Sequence, residues 1–194
     1  MEPLLVSTAV VALAEMGDKT QLLALVLAAR FRKPWPIVLG ILAATVLNHA
    51  LAGLIGSRVA LWLGPDTLRW LLGLSFIAMA AWTLVPDRLD EDDADTLKRV
   101  SGHGVFWATT IAFFLAEMGD KTQIATVALA ARYDAYVWVV TGTTLGMLAA
   151  NAPVVWLGER LIRRVPLKAV RIATAVLFAA LGLGVLLGLG GSAG

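Results

Sequence analysis

The chain contains no cysteine. Disulfides, thiolate metal sites and thiol nucleophiles are therefore excluded. Charge is scarce as well. Only 15% of the 194 residues are Asp, Glu, Lys or Arg, where soluble domains carry about a quarter. No stretch reads as an independent soluble domain; the one clearly polar run is residues 86–103, PDRLDEDDADTLKRVSGH. Basic residues lie at the ends of apolar runs and form no single face, which excludes nucleic acid as a partner. There is no phosphate-binding motif, so the chain carries no ATP-driven motor of its own. What remains is 59% hydrophobic, with a mean hydropathy of +0.79. That balance specifies an all-α integral membrane protein with lipid around it.

Six apolar segments are legible, at roughly 4–29, 37–57, 68–85, 104–131, 135–158 and 170–190. Each has about the 20 residues that a helix needs to cross a bilayer core. The first begins without a preceding Lys or Arg and recurs mid-chain, so it reads as a retained helix and not as a cleaved leader. A shift of 102 residues superposes the halves: 14–30 and 116–132 agree at 12 of 17 positions. Gly40 meets Gly142, Gly56 meets Gly158, and Phe76 meets Phe178 on the same offset. The expected organisation is a three-helix repeat (1–85), an acidic linker (86–103) and a second three-helix repeat (104–194). Three is odd, so the second repeat enters the membrane inverted, as in many secondary transporters. Loops 1–2, 3–4 and 5–6 hold eleven Lys and Arg; the opposite side holds only Arg58, Arg69 and Arg132. The expectation is a multi-pass protein of the cell (inner) membrane with both termini outside and the linker cytoplasmic.

The octapeptide AEMGDKTQ occurs twice, at 14–21 and 116–123, each time inside an apolar segment. Counting from residue 4 at about 1.5 Å per residue puts Glu15 and Asp18 roughly 16–21 Å deep. Acids at mid-membrane cost about 2.5–3.5 kcal/mol each on insertion scales, too much for decoration. Three residues apart, each Glu and Asp are expected on one helix face, with Gly17 able to loosen the helix locally. The two-fold relation brings Glu15, Asp18, Glu117 and Asp120 together. Thr20, Gln21, Thr122 and Gln123 add neutral oxygens, and Lys19 and Lys121 add countercharge. An all-oxygen cluster suits hard divalent cations and serves Zn²⁺ or Cu⁺ poorly. Ion pairs between neighbouring acids and lysines are the bland alternative. Asn48, His49 and Asn151 are the remaining polar candidates for the site lining, on the second helix of each half; interhelical packing bonds are their simpler role.

The doubled E-M-G-D-K-T closely resembles the Glu-x-Gly-Asp-Lys/Arg-Thr/Ser signature of the transmembrane protein 165 family. The likeness covers six apolar segments, both motifs and the acidic linker. It implies a transporter, not an enzyme, exchanging Mn²⁺ or Ca²⁺ for protons, with bacterial members linked to manganese export. The cation-binding acids then fall on Glu15, Asp18, Glu117 and Asp120, with Lys19, Thr20, Lys121 and Thr122 adjoining. The divalent ion is cargo, and no resident cofactor is expected. A homodimer stays open. A passive cation channel is the competing function, since acids also line pores; the repeat favours alternating access. An intramembrane metal hydrolase, which generally uses histidine ligands, is poorly served by a single membrane histidine.

Overall fold

The computed structural model describes residues 1–86, 96, 104–158 and 166–188. The acidic run Asp90–Asp95 and Arg160, Arg163 and Arg164 lie outside the described residues. Among the described residues every regular element is helical. We label them α1 (Glu2–Glu15), α2 (Lys19–Phe31), α3 (Pro34–Trp62), α4 (Pro65–Thr83), α5 (Val105–Glu117), α6 (Lys121–Arg132), α7 (Tyr136–Leu157) and α8 (Leu167–Leu186). Prolines open α1, α3 and α4, where a missing N–H costs nothing. Three helices, α3, α7 and α8, are long and apolar enough to cross a membrane. Along α3, Leu47, Leu51, Leu54 and Ile55 stand exposed, an apolar stripe that a lipid-facing helix requires and a soluble one avoids.

The first and fourth apolar segments are not continuous helices. Each is broken at its octapeptide into two short ones, α1/α2 and α5/α6. This corrects the expectation that Glu and Asp of each motif share one helix face. Glu15 ends α1, and Asp18 caps the start of α2. The break is a turn: Met16 has φ −66° and ψ 112°, Gly17 has φ +80°, and the Asp18 N–H donates to the Glu15 carbonyl at 3.1 Å. Those are features of a type II turn, whose third residue needs a positive φ that glycine alone adopts freely. The second motif repeats it, with Met118 at φ −64° and ψ 116°, Gly119 at φ +78°, and Asp120 N–H to Glu117 carbonyl at 3.2 Å.

Packing follows the repeat in register. A Cβ on Gly40 would meet the Phe106 carbonyl at 2.9 Å and Thr109 Cβ at 2.7 Å. A Cβ on Gly142 would meet the Leu4 carbonyl at 2.5 Å and Ser7 Cβ at 2.9 Å. Each of these residues is 102 from its counterpart, so α3 crosses α5 as α7 crosses α1, through a glycine that admits the other backbone. Two cores result. One joins Val10, Phe76, Met79, Leu129 and Phe178, and so unites α1, α4, α6 and α8; Phe76 and Phe178 stack at 6.3 Å. The other joins Val11, Leu27, Ile41, Phe113 and Met147, from α1, α2, α3, α5 and α7. The pair α4/α8 contributes buried residues to the first core only.

Candidate functional site

The breaks carry the acids. At the first, Thr20 Oγ1 donates to Glu15 Oε2 at 2.5 Å, across the turn. At the second, Thr122 Oγ1 donates to Glu117 Oε2 at 2.9 Å. Gln21 Oε1 accepts the Gly17 N–H at 3.0 Å, and Gln123 Oε1 accepts the Gly119 N–H at 2.7 Å. Every polar residue of the octapeptide except the lysine thus has a local task. Glu ends one helix, Asp stands at the N-cap position of the next (with Asp18 accepting the Thr20 N–H), Thr ties the hydroxyl back to Glu, and Gln satisfies the amide that the turn exposes.

The glutamines do a second thing. Gln21 Nε2 donates to the Ala150 carbonyl on α7 at 3.0 Å, and Gln123 Nε2 lies 3.5 Å from Asn48 Oδ1 on α3. Residues 150 and 48 are themselves 102 apart. Each break is therefore braced against the same register of the other half's long helix. Sequence reasoning placed Gln21 and Gln123 in the lining; the structure makes them braces of the broken helices. The signal was available in principle, since a Gly followed four residues later by Gln matches the reach of that bond.

One carboxylate oxygen each from Glu15, Asp18 and Asp120 falls within 4.8 Å of the others, and all three residues are buried. The cluster draws on both halves. Glu117 is fully buried beside it and feels the charges of Glu15, Asp120 and Asp18. Lys121 is buried and forms an ion pair with Asp18, an acid of the opposite motif and not of its own. Lys19 is only half-buried. Asn151 Nδ2 donates to Glu15 Oε2 at 3.3 Å, which puts α7 against the cluster. Asn48 is turned elsewhere, donating to the Phe114 carbonyl at 3.0 Å. His49 is fully buried on α3, with neither ring nitrogen hydrogen-bonded among the described residues.

Chemically the arrangement is a buried cluster of carboxyl oxygens. Glu15 Oε1 and Glu117 Oε1 are buried without hydrogen-bond partners among the described residues. A carboxylate oxygen left so in a low-dielectric interior is costly unless a proton or a cation joins it. The C-terminal ends of α1 and α5 also deliver partial negative charge at this point.

Comparison with known proteins agrees with the doubled motif. A family model described as "Divalent cation/proton antiporter GDT1" matches residues 3–91 and 105–191, which are the two halves. A Vibrio cholerae protein named "Putative manganese exporter" is 54% identical over 92% of this chain and 87% of its own length. A "GDT1-like protein" of Synechocystis is 31% identical over 87% of this chain and 88% of its own. A "GDT1-like protein 3" of Oryza sativa is 30% identical over 91% of this chain and 71% of its own. No solved structure matches the chain. The family consists of membrane transporters and not enzymes, and this chain, with its two E-M-G-D-K-T breaks, belongs to the GDT1 divalent cation/proton antiporter family.

Proposed function

We propose that the chain exports Mn²⁺, or carries Ca²⁺, in exchange for protons, at one site that both motifs build. The observation that carries this is the buried cluster of Glu15, Asp18 and Asp120, three oxygens spaced for one ion and drawn from opposite halves. Glu15, Asp18, Asp120 and Glu117 would hold the ion, with Thr20 and Thr122 orienting the two glutamates. The buried charged side chains at the site are these four acids and Lys121. If all are ionised the site carries three net negative charges, which a divalent ion and one proton would balance. Without the ion, two more protons would restore that balance, so about two protons should leave per ion bound. Cargo and protons compete for the same oxygens, which is the condition for exchange.

The six-span inverted repeat and alternating access belong to the same proposal. The register-matched crossings of Gly40 and Gly142 support the two-fold relation. Asymmetry between the ends supports a moving part. Gly56 sits where a Cβ would be 2.2 Å from the Val127 carbonyl, whereas for its counterpart Gly158 the nearest atom among the described residues is Leu25 Cδ1 at 4.0 Å. The pair α4/α8, committed to one core, is the element able to rock toward the other. With both termini outside, the looser end, at the α2–α3 connection, faces the cytoplasm. A Lys33→Cys variant, in a chain free of other thiols, should resist an impermeant thiol reagent in intact cells; labelling would reverse the topology.

Transport itself is tested with purified protein in liposomes holding an acidic lumen. Mn²⁺ should accumulate against its gradient while the lumen turns alkaline, and Ca²⁺ offered alone or as competitor ranks the cargo. Flux that never runs uphill and does not saturate would favour the passive channel.

A further inference from the structure

We propose that the cleft at the α2–α3 connection is a binding site for the headgroup of an anionic phospholipid. The inference goes beyond ion transport and stands whatever the acidic cluster carries. Among the described residues the cleft encloses about 280 Å³ and is lined by Ala28, Arg32, Lys33, Pro34, Val155 and Trp156. Pro34 opens α3, and Trp156 is next to last in α7. Both helices are long and apolar enough to cross a membrane, so the end that they share lies at a membrane surface. The indoles of Trp35 and Trp156 meet edge-on there, 5.5 Å between ring centroids, and both are exposed. Amphipathic rings of this kind sit at headgroup depth. Arg32 and Lys33 are exposed too, and no described carboxylate forms an ion pair with either. Two cations beside apolar walls fit a phosphate ester joined to acyl chains, and basic pockets between membrane helices take such headgroups.

Two further observations single this cleft out. Among the described residues Arg32 is the one non-glycine with a positive φ, 52°. It closes α2 with its N–H on the Ala28 carbonyl, a place that Gly or Asn fills with less strain. An arginine that accepts the strain is there for its side chain. The repeat supplies the second observation. In the other half, 102 residues on, Asp134, Ala135 and Tyr136 stand for Arg32, Lys33 and Pro34, and Gly53 stands for Val155. There a Cβ on Gly53 would meet the Tyr136 ring at 3.0 Å, and the Tyr136 hydroxyl donates to the Ala50 carbonyl at 3.1 Å. Of two related clefts, the chain fills one with its own tyrosine beside an acid and leaves the other open and cationic.

The test is thermal melting of the purified protein in a neutral detergent, with dioctanoyl-phosphatidylglycerol, dioctanoyl-phosphatidylcholine or inorganic phosphate added. Phosphatidylglycerol should raise the Tm as the site fills, and the other two should leave it in place. Arg32→Gly removes the charge and gives the left-handed position the residue it prefers. That variant should melt no lower than the parent without lipid, yet bind phosphatidylglycerol about fivefold more weakly. Lys33→Gln should lose the same factor, and the double variant about thirtyfold. Arg69→Gln removes an exposed cation outside the cleft and should bind as the parent does. Equal stabilisation by phosphatidylcholine, or a double variant that binds phosphatidylglycerol like the parent, would overturn the proposal. So would a loss in Arg69→Gln as large as in Arg32→Gly, which would mean attraction to overall charge and not to a cleft. Inorganic phosphate that matches the lipid would overturn it in favour of a soluble anion. Should Arg32→Gly fail to fold, Lys33→Gln against Arg69→Gln decides alone. Failure here leaves the cation-transport reading intact, since no lining residue belongs to the acidic cluster.

Discussion

Glu15→Gln should abolish divalent-cation transport, and Glu117→Gln should do so equally, although the two residues lie in opposite halves of the chain. Glutamine keeps the size of the side chain and can still accept from Thr20 or Thr122, so the protein should insert and fold. What disappears is charge at a fully buried position. A charged oxygen facing a cation in such a place is worth about 3 kcal/mol, or roughly a hundredfold in affinity. Asp18→Asn has a compound effect, because Asp18 also pairs with buried Lys121. Removing the acid takes a charged partner from the buried lysine, and destabilisation of about 3 kcal/mol accompanies the lost transport. Initial rates of Mn²⁺ uptake, normalised to inserted protein, measure both. Near-normal uptake by either glutamine variant would mean that the halves do not share one site.

The second large effect concerns the turns. Gly17→Val and Gly119→Val leave every acid in place but force a β-branched residue to a φ near +80°. The left-handed region costs an ordinary L-residue about 1–2 kcal/mol. A chain that avoids this cost straightens the break, and Asp18 or Asp120 then leaves the N-cap that holds it. Uptake should fall at least about tenfold in both variants. Stability should separate them. A Cβ at residue 17 would lie 2.9 Å from Leu167 Cδ2, whereas none of the described residues lies within 4 Å of one at residue 119. Gly17→Val should therefore melt at a lower temperature than Gly119→Val. Full activity in both would show that the acids, and not the broken helices, suffice.

Much of this was written in the residues. The absence of cysteine, the shortage of charge and the 102-residue repeat lead to a helical membrane chain, and four acids inside apolar segments point to the proposed site. The broken helices were not foreseen, for a physical reason. Hydropathy is blind to a two-residue turn inside an apolar run, and Glu-x-x-Asp spacing fits a continuous helix equally well. Met-Gly before an N-capping Asp, with Gln four residues after the glycine, is the pattern that encodes the break. The exchange of partners across the halves was also illegible. Lys121 pairs with Asp18 and Gln21 reaches Ala150 because the helices interleave, and sequence adjacency carries no information about that. For the second helices, the ungapped 102-residue offset sets His49 opposite Asn151, and a one-residue gap would set Asn48 there. The glycine crossings favour the ungapped alignment, which pairs Asn151 with His49.

The central claim is that one buried cluster holds either a divalent cation or protons. Calorimetric titration of the purified protein with Mn²⁺, in buffers of different ionisation enthalpy between pH 6 and 8, counts the protons released as the ion binds. We expect about two per ion, with affinity falling as the pH is lowered because protons then hold the oxygens more tightly. Binding that releases no protons anywhere in that range, at an affinity indifferent to pH, would contradict the claim.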